Sequence, residues 1–173
     1  MSIWQTVAGW FRPIDQTKRP IDQSTSLEAT SPQPKWPALT DRDRDTLTRT
    51  LYGEAANESE AGQIAVVHVI RNRLLRGPAK RFGGTPADVC TKPWQFSCWN
   101  ANDPQLPRLL ALQPTSPTYQ RLAAVVDKAW AMPDTVGGAD HYYATYIAKP
   151  SWAKPPARQT AQFGVHVFFA GVA

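Results

Sequence analysis

Histidine, cysteine and methionine are scarce in this chain, with three, two and two copies among 173 residues. His68, His141 and His166 form no HExxH pattern and Cys90 and Cys98 form no CxxC pair, so the usual spacings of a metal centre are missing. Neither metal nor cofactor is expected. Two thiols also exclude a fold held by a dense disulfide framework. No run approaches the roughly 20 apolar residues that cross a bilayer, which argues against stable membrane insertion. The opening MSIWQTVAGWFRP lacks a basic n-region, and Gln5, Thr6 and Gly9 break its apolar stretch, so it does not read as a secretory signal. Ile3, Trp4, Val7 and Phe11 leave only a weak amphipathic stripe there. No glycine-rich phosphate loop follows a strand. Lys and Arg are scattered without a DNA- or RNA-binding motif, so nucleic acid is not an expected partner.

What is present suffices for one domain. A hydrophobic content of 42% over 173 residues supplies a real core. The net charge of +5 favours a partner carrying negative charge, such as an anionic wall polymer, nucleic acid or a membrane surface, and charge alone does not choose among them. Seven tryptophans add flat rings that stack on sugars or bases when they lie at a solvent boundary, although core burial accounts for most tryptophans.

Residues 12 to 37 read as an extended tether, in which RPIDQTK is followed at once by RPIDQST. Pro13, Pro20, Pro32, Pro34 and Pro37 exclude a continuous helix, and few large apolar residues offset the entropy of ordering the segment. The division is therefore an N-terminal segment and tether over 1–37 and a folded domain over 38–173.

Helical periodicity begins at LTDRDRDTLTRTLYGEA, with Thr40 or Asp41 as cap and early aspartates at the positive helix end. NESE signals the next helix, with Asn57 as cap and Glu60 answering it three residues on, so Glu58 and Glu60 already have structural roles. That helix, GQIAVVHVIRNRLL, is apolar on nearly every side and is expected to be central, with His68 a hydrogen-bonded core residue. From Gly77 to Thr115 the pattern dissolves into a Pro-, Gly- and Trp-rich stretch with one short turn at TPADVC, and loops of that length inside a domain tend to be functional. SPTYQRLAAVVDKAWAM restores a helix, capped by Ser116 with Pro117 at its first position and ended by Pro133. HYYATYI and FGVHVFF then alternate, the second placing Phe163, Val165, Val167 and Phe169 on one side, and predict an antiparallel pair of strands.

Within this plan Glu54 is out of place. It lies seven residues after Leu47 and three after Leu51, along the face that should be apolar. A carboxyl group half buried at a core edge has its charged form disfavoured and is suited to donate a proton to a departing glycosidic oxygen. The Tyr52-Gly53-Glu54-Ala55 setting leaves room for a ligand beside it. Cys90 and Cys98 are close enough in sequence to bridge a small loop in an oxidising compartment. Alternatively Cys98 is a nucleophile with His141 or His166 as base, as in Cys/His amidases and peptidases. Its loop position between Ser97 and Trp99 argues against activation at a helix N-terminus.

YGEAANESEAGQIAVVHVIRNR, then QFSCWN, then HYYATYI, in that order, resemble the SleB-type cell wall hydrolases, named for a spore cortex-lytic enzyme, over roughly residues 40 to 170. The resemblance implies an α+β, mostly helical, lysozyme-like domain related to lytic transglycosylases, with a small antiparallel β element near the C-terminus. It implies cleavage of the β-1,4 bond between N-acetylmuramic acid and N-acetylglucosamine in peptidoglycan, with Glu54 as catalytic acid. By extension Gln95, Ser97, Trp99 and Asn100 would line a sugar groove, with His141, Tyr142 and Tyr143 across from them and Tyr52 in support. Asn72 would hold a loop or Glu54 itself in place. The absence of a signal sequence and of a wall-binding repeat favours a phage-type endolysin or a virion-associated enzyme, made in the cytoplasm and released to the wall or periplasm by another agent such as a holin. Two other classes stay open: a thiol-dependent amidase or endopeptidase, and a non-catalytic wall-binding domain.

Overall fold

The computed structural model describes residues 36–76 and 81–172, so the N-terminal stripe and the expected tether up to residue 35 lie outside the described residues. Thr40 caps helix α1 (Asp41–Ala55) by accepting the N–H of Asp43, which fixes where Glu54 emerges one residue before the helix ends. Leu47, Leu51 and Ala55 are buried from this helix, as its spacing predicts.

Helix α2 (Glu60–Leu75) is capped by Ser59, not Asn57: the Ser59 hydroxyl accepts the Gly62 N–H, and Glu60 becomes the first helical residue instead of the reciprocal partner of a capping box. The turn before it is held by Gln63, only 1% exposed, whose amide donates to the carbonyls of Ala55, Ala56 and Glu58 at 3.0, 3.3 and 3.2 Å. One buried side chain thus ties three carbonyls of the α1–α2 turn together, alongside the Glu58 N–H that also reaches Ala55 O. Gly62 to Arg73 are buried without interruption, so α2 is the central helix. His68 is sealed in it. Its Nε2 donates to Ala129 O at 3.0 Å while Nδ1 accepts the Thr135 N–H at 3.1 Å. Burial pushes His68 down to about pKa 4.

The stretch from Gly77 to Thr115 contains the short turn expected at TPADVC, as helix α3 (Pro86–Thr91), and two elements that are not expected, a 3-10 turn (Ser97–Trp99) and helix α4 (Leu106–Ala111). These pieces are too short to show a periodicity in sequence. Helix α5 (Pro117–Ala131) begins at Ser116 as predicted and packs on α1 and α2. Trp36 and Pro37, at the end of the expected tether, lie on this body: the Trp36 ring is 5.8 Å from that of Trp130, and Pro37 O accepts the Trp130 indole N–H at 2.9 Å.

The C-terminal sheet has three strands, not two. β1 (His141–Ala144), β2 (Arg158–Phe163) and β3 (His166–Ala170) are antiparallel in the order β1-β3-β2. β2 carries the mostly polar RQTAQF and lacks an apolar alternation, which is why the sequence reads as loop there. The central strand is buried on both faces, Phe168 against Ala65, Val69 and Val136, and Val167 with Phe169 against Ala153 and Ala157. Phe163 belongs to β2 and packs with Phe168, so the expected single row from Phe163 to Phe169 does not exist.

Candidate active site

Glu54 stands where α1, the 3-10 turn and the sheet converge. Two adjoining depressions of about 520 and 510 Å³ share Gly53, Glu54, Gln105, Tyr146 and His166 along their walls. Tyr142, reaching in from β1, donates its hydroxyl to Glu54 Oε2 at 2.7 Å. Burial first, then the charge and hydrogen bond of Glu54, hold the Tyr142 phenol well above its ordinary pKa, so it stays a donor. Its ring is fixed edge-on to His166 at 5.0 Å and tilted on Phe168 at 5.6 Å.

Behind this pair lies Arg73 from α2, 6% exposed and packed over the rings of Phe96 and Phe82. Its Nε donates to Asp140 O at 2.8 Å and its Nη1 to Gln95 O at 3.3 Å. Desolvation lowers its pKa, opposed by Tyr142, Asp140, Cys90 and Glu54. A guanidinium remains charged under such conditions, so a fixed cation backs the Glu54–Tyr142 pair. Nothing in the sequence sets Arg73 apart from the other basic residues.

The expected site residues divide. Ser97 lines the cleft, as do Tyr52, Tyr142 and Tyr143. His141 lines neither depression: its Nδ1 is 2.9 Å from Asp140 Oδ1 and its ring packs 5.2 Å from that of Trp152, which does line the cleft. Gln95 contributes a carbonyl to Arg73 and lines neither depression. Trp99 and Asn100 line a separate depression with Trp94. Trp99 Nε1 donates to Thr50 Oγ1 at 2.9 Å, which ties the 3-10 turn to α1. Asn72 holds a loop and not Glu54, its amide donating to Asp134 Oδ1 at 3.2 Å and to Ala139 O at 2.9 Å.

Residues not expected to line the sugar groove complete the walls. Glu58 lies in the first depression with Glu54, so the cleft does hold a second carboxylate, contrary to its reading as a helix-start residue alone. Tyr146, 78% exposed, stands at the rim. His166 is 5% exposed, its Nδ1 is buried with no hydrogen-bond partner, and burial lowers its pKa against the opposing charges of Glu58 and Glu54.

Both cysteines are free and buried, so the bridge between Cys90 and Cys98 is not formed. Burial pushes the Cys90 thiol up to about 12. Cys98 is raised as well, first by burial and then by the charge of Glu54. A thiol held protonated beside a carboxylate is the reverse of an activated nucleophile. Gly53 is small because Cys98 packs on it: a Cβ there would lie 2.6 Å from Cys98 Cβ, a closer constraint than room for a ligand.

A family model described as cell wall hydrolase matches residues 57–169. The chain belongs to the cell wall hydrolase family. Glu54 lies three residues before the matched segment, within the same helix-turn-helix unit. Two solved structures are similar to this cell wall hydrolase. The catalytic domain of the Bacillus cereus SleB protein is 25% identical, with 79% of this chain and 94% of that one covered at a TM-score of 0.60. The catalytic domain of the germination-specific lytic transglycosylase SleB from Bacillus anthracis is also 25% identical, with 76% and 96% covered at a TM-score of 0.59. No curated protein matches the chain. The lysozyme-like, mostly helical architecture with a small C-terminal sheet expected from the motifs is the one found.

Proposed function

We propose that this cell wall hydrolase cleaves the β-1,4 bond between N-acetylmuramic acid and N-acetylglucosamine in peptidoglycan, with Glu54 as general acid and then base. The observation that carries the reading is the 2.7 Å hydrogen bond from Tyr142 to Glu54 Oε2 at the floor of the cleft. Engaging Oε2 leaves Oε1 to carry the proton that goes to the leaving glycosidic oxygen. As that proton leaves, Glu54 becomes a carboxylate, and the bond from Tyr142 turns into a charge-assisted one. The interaction is therefore stronger after proton transfer than before it, which is the condition for assisting the step.

The same carboxylate then removes a proton from the hydroxyl that closes on the anomeric carbon. We assign this acceptor as the muramic C6 hydroxyl, giving a 1,6-anhydro product, in keeping with the description of the B. anthracis relative as a lytic transglycosylase. Glu58 in the same depression favours a second acceptor, water, which a second carboxylate could orient on the opposite face of the sugar.

Mass spectrometry of fragments released from purified peptidoglycan by the wild type and by Glu54→Gln tests the proposal. Anhydro-muramic ends, absent from the variant digest, are expected. Reducing muramic ends lost in the variant would move the assignment to hydrolysis. Free stem peptides, or full activity in Glu54→Gln, would sink the glycosidase reading.

A further inference from the structure

Trp94 is left in water at a cost on two counts. Its side chain is 81% exposed, and its backbone has φ +68, a left-handed conformation sparsely populated by residues that carry a Cβ. Strain of this kind in a loop at the edge of a cleft persists only where the surrounding structure enforces it. Here Asn100 Oδ1 accepts the Trp94 N–H at 3.4 Å, and the following residue closes back through its own N–H on Lys92 O at 3.1 Å.

We propose that the depression of about 380 Å³ between Trp94 and Trp99 is a second saccharide-binding site, which grips the glycan strand beside the Glu54 cleft. The substrate identity rests on the proposed function. Its walls combine two indole rings with Thr91, Pro93, Asn100 and Asn102, so no charged side chain lines it. Indole faces against the C–H face of a pyranose, with amide and hydroxyl groups for its hydroxyl and acetamido substituents, match an uncharged sugar ring. An anionic polymer would find no cation in that wall, despite the net charge of +5 for the whole chain.

The two sites share one short wall. In the 3-10 turn, Ser97 and Cys98 line the Glu54 cleft, whereas Trp99 and the next residue, Asn100, line the Trp94 depression. The bond from Trp99 Nε1 to Thr50 Oγ1 anchors that wall on α1, the helix that carries Glu54. A polymer of repeating sugars held at Trp94 is thus held in a fixed relation to the reacting bond.

The test uses the full chain carrying Glu54→Gln, so that the wall is not consumed, sedimented with purified sacculi at increasing wall concentration. Adding Trp94→Ala is expected to weaken binding about tenfold, and Trp94→Tyr to restore most of it. In the cleaving enzyme, Trp94→Ala is expected to raise KM on sacculi about tenfold more than on a short soluble glycan fragment. Sacculus binding unchanged by Trp94→Ala overturns the proposal. So does a loss confined to phosphatidylglycerol vesicles, which would make Trp94 a membrane contact. An active Glu54→Gln enzyme would overturn the cleavage mechanism, and sedimentation on ice, before the wall is consumed, still reads the Trp94 contribution, so the two failures are distinguishable.

Discussion

Tyr142 and Glu54, 88 residues apart in sequence, meet through a 2.7 Å hydrogen bond from the phenol to Oε2. The strand delivers the donor and the helix the acceptor, and Phe168 and His166 hold the ring in place. Tyr142→Phe keeps that packing and removes only the hydroxyl. A hydrogen bond to a charged group contributes about 1.5–3 kcal/mol, so kcat is expected to fall roughly 10- to 150-fold with KM nearly constant. An unchanged kcat in steady-state assays would show that the hydroxyl does not assist proton transfer.

The burial of both cysteines predicts chemical silence. Iodoacetamide at neutral pH is expected to add no mass to the native protein and to leave lysis intact, whereas urea exposes Cys90 and Cys98 to labelling. Rapid labelling of the folded chain at one thiol, with loss of lysis, would restore the Cys98 nucleophile.

At Gly53 the contact with Cys98 leaves no space. Gly53→Ala would bring a Cβ to 2.6 Å from Cys98 Cβ and 2.9 Å from its Sγ, and these atoms lie near the backbone, not at the tip of a flexible chain. Overpacking of this kind costs about 1–3 kcal/mol. Denaturant unfolding should show that loss, together with reduced lysis, because the 3-10 turn must shift away from the residue preceding Glu54. A variant as stable as the wild type would mean that the turn yields freely.

His68 makes stability depend on pH in a defined direction. Its folded pKa is about 4, below the ordinary 6.5, so the unfolded chain binds the proton that the folded chain refuses. Its contribution is fully present above pH 6.5 and is lost as pH falls towards 4. The difference corresponds to roughly 3 kcal/mol. Urea titrations at pH 7 and pH 4.5 should show a drop that His68→Gln reduces, although the variant is less stable at pH 7 because Ala129 O loses one of its donors or the Thr135 N–H its acceptor. Equal drops in both proteins would remove His68 as the source.

Much of the helical frame was legible because its signals are local. Thr40 and Ser116 cap where the sequence places caps, since a side-chain oxygen beside the first turn needs no distant partner. Asn57 yields the cap to Ser59, two positions on, and only the path of the turn tied by Gln63 chooses between the two capping residues. β2 has no local signal, because its order comes from pairing with β3 and from a bulge between Gln159 and Ala161, and not from its own polar residues.

By itself the sequence determined the positions of the long helices, the buried character of α2 and the placement of Glu54 at a core edge, since these follow from periodicity along a single element. Tertiary structure alone decided that Tyr142 reaches Glu54 while His141 lines neither depression. It also put Arg73 behind them and Glu58 beside them, and gave Trp99 and Asn100 a depression of their own. The physical reason is that hydrogen bonds and burial depend on distances between elements, which the one-dimensional pattern does not contain. A one-residue change of strand register would have exchanged Tyr142 for its neighbours at the site.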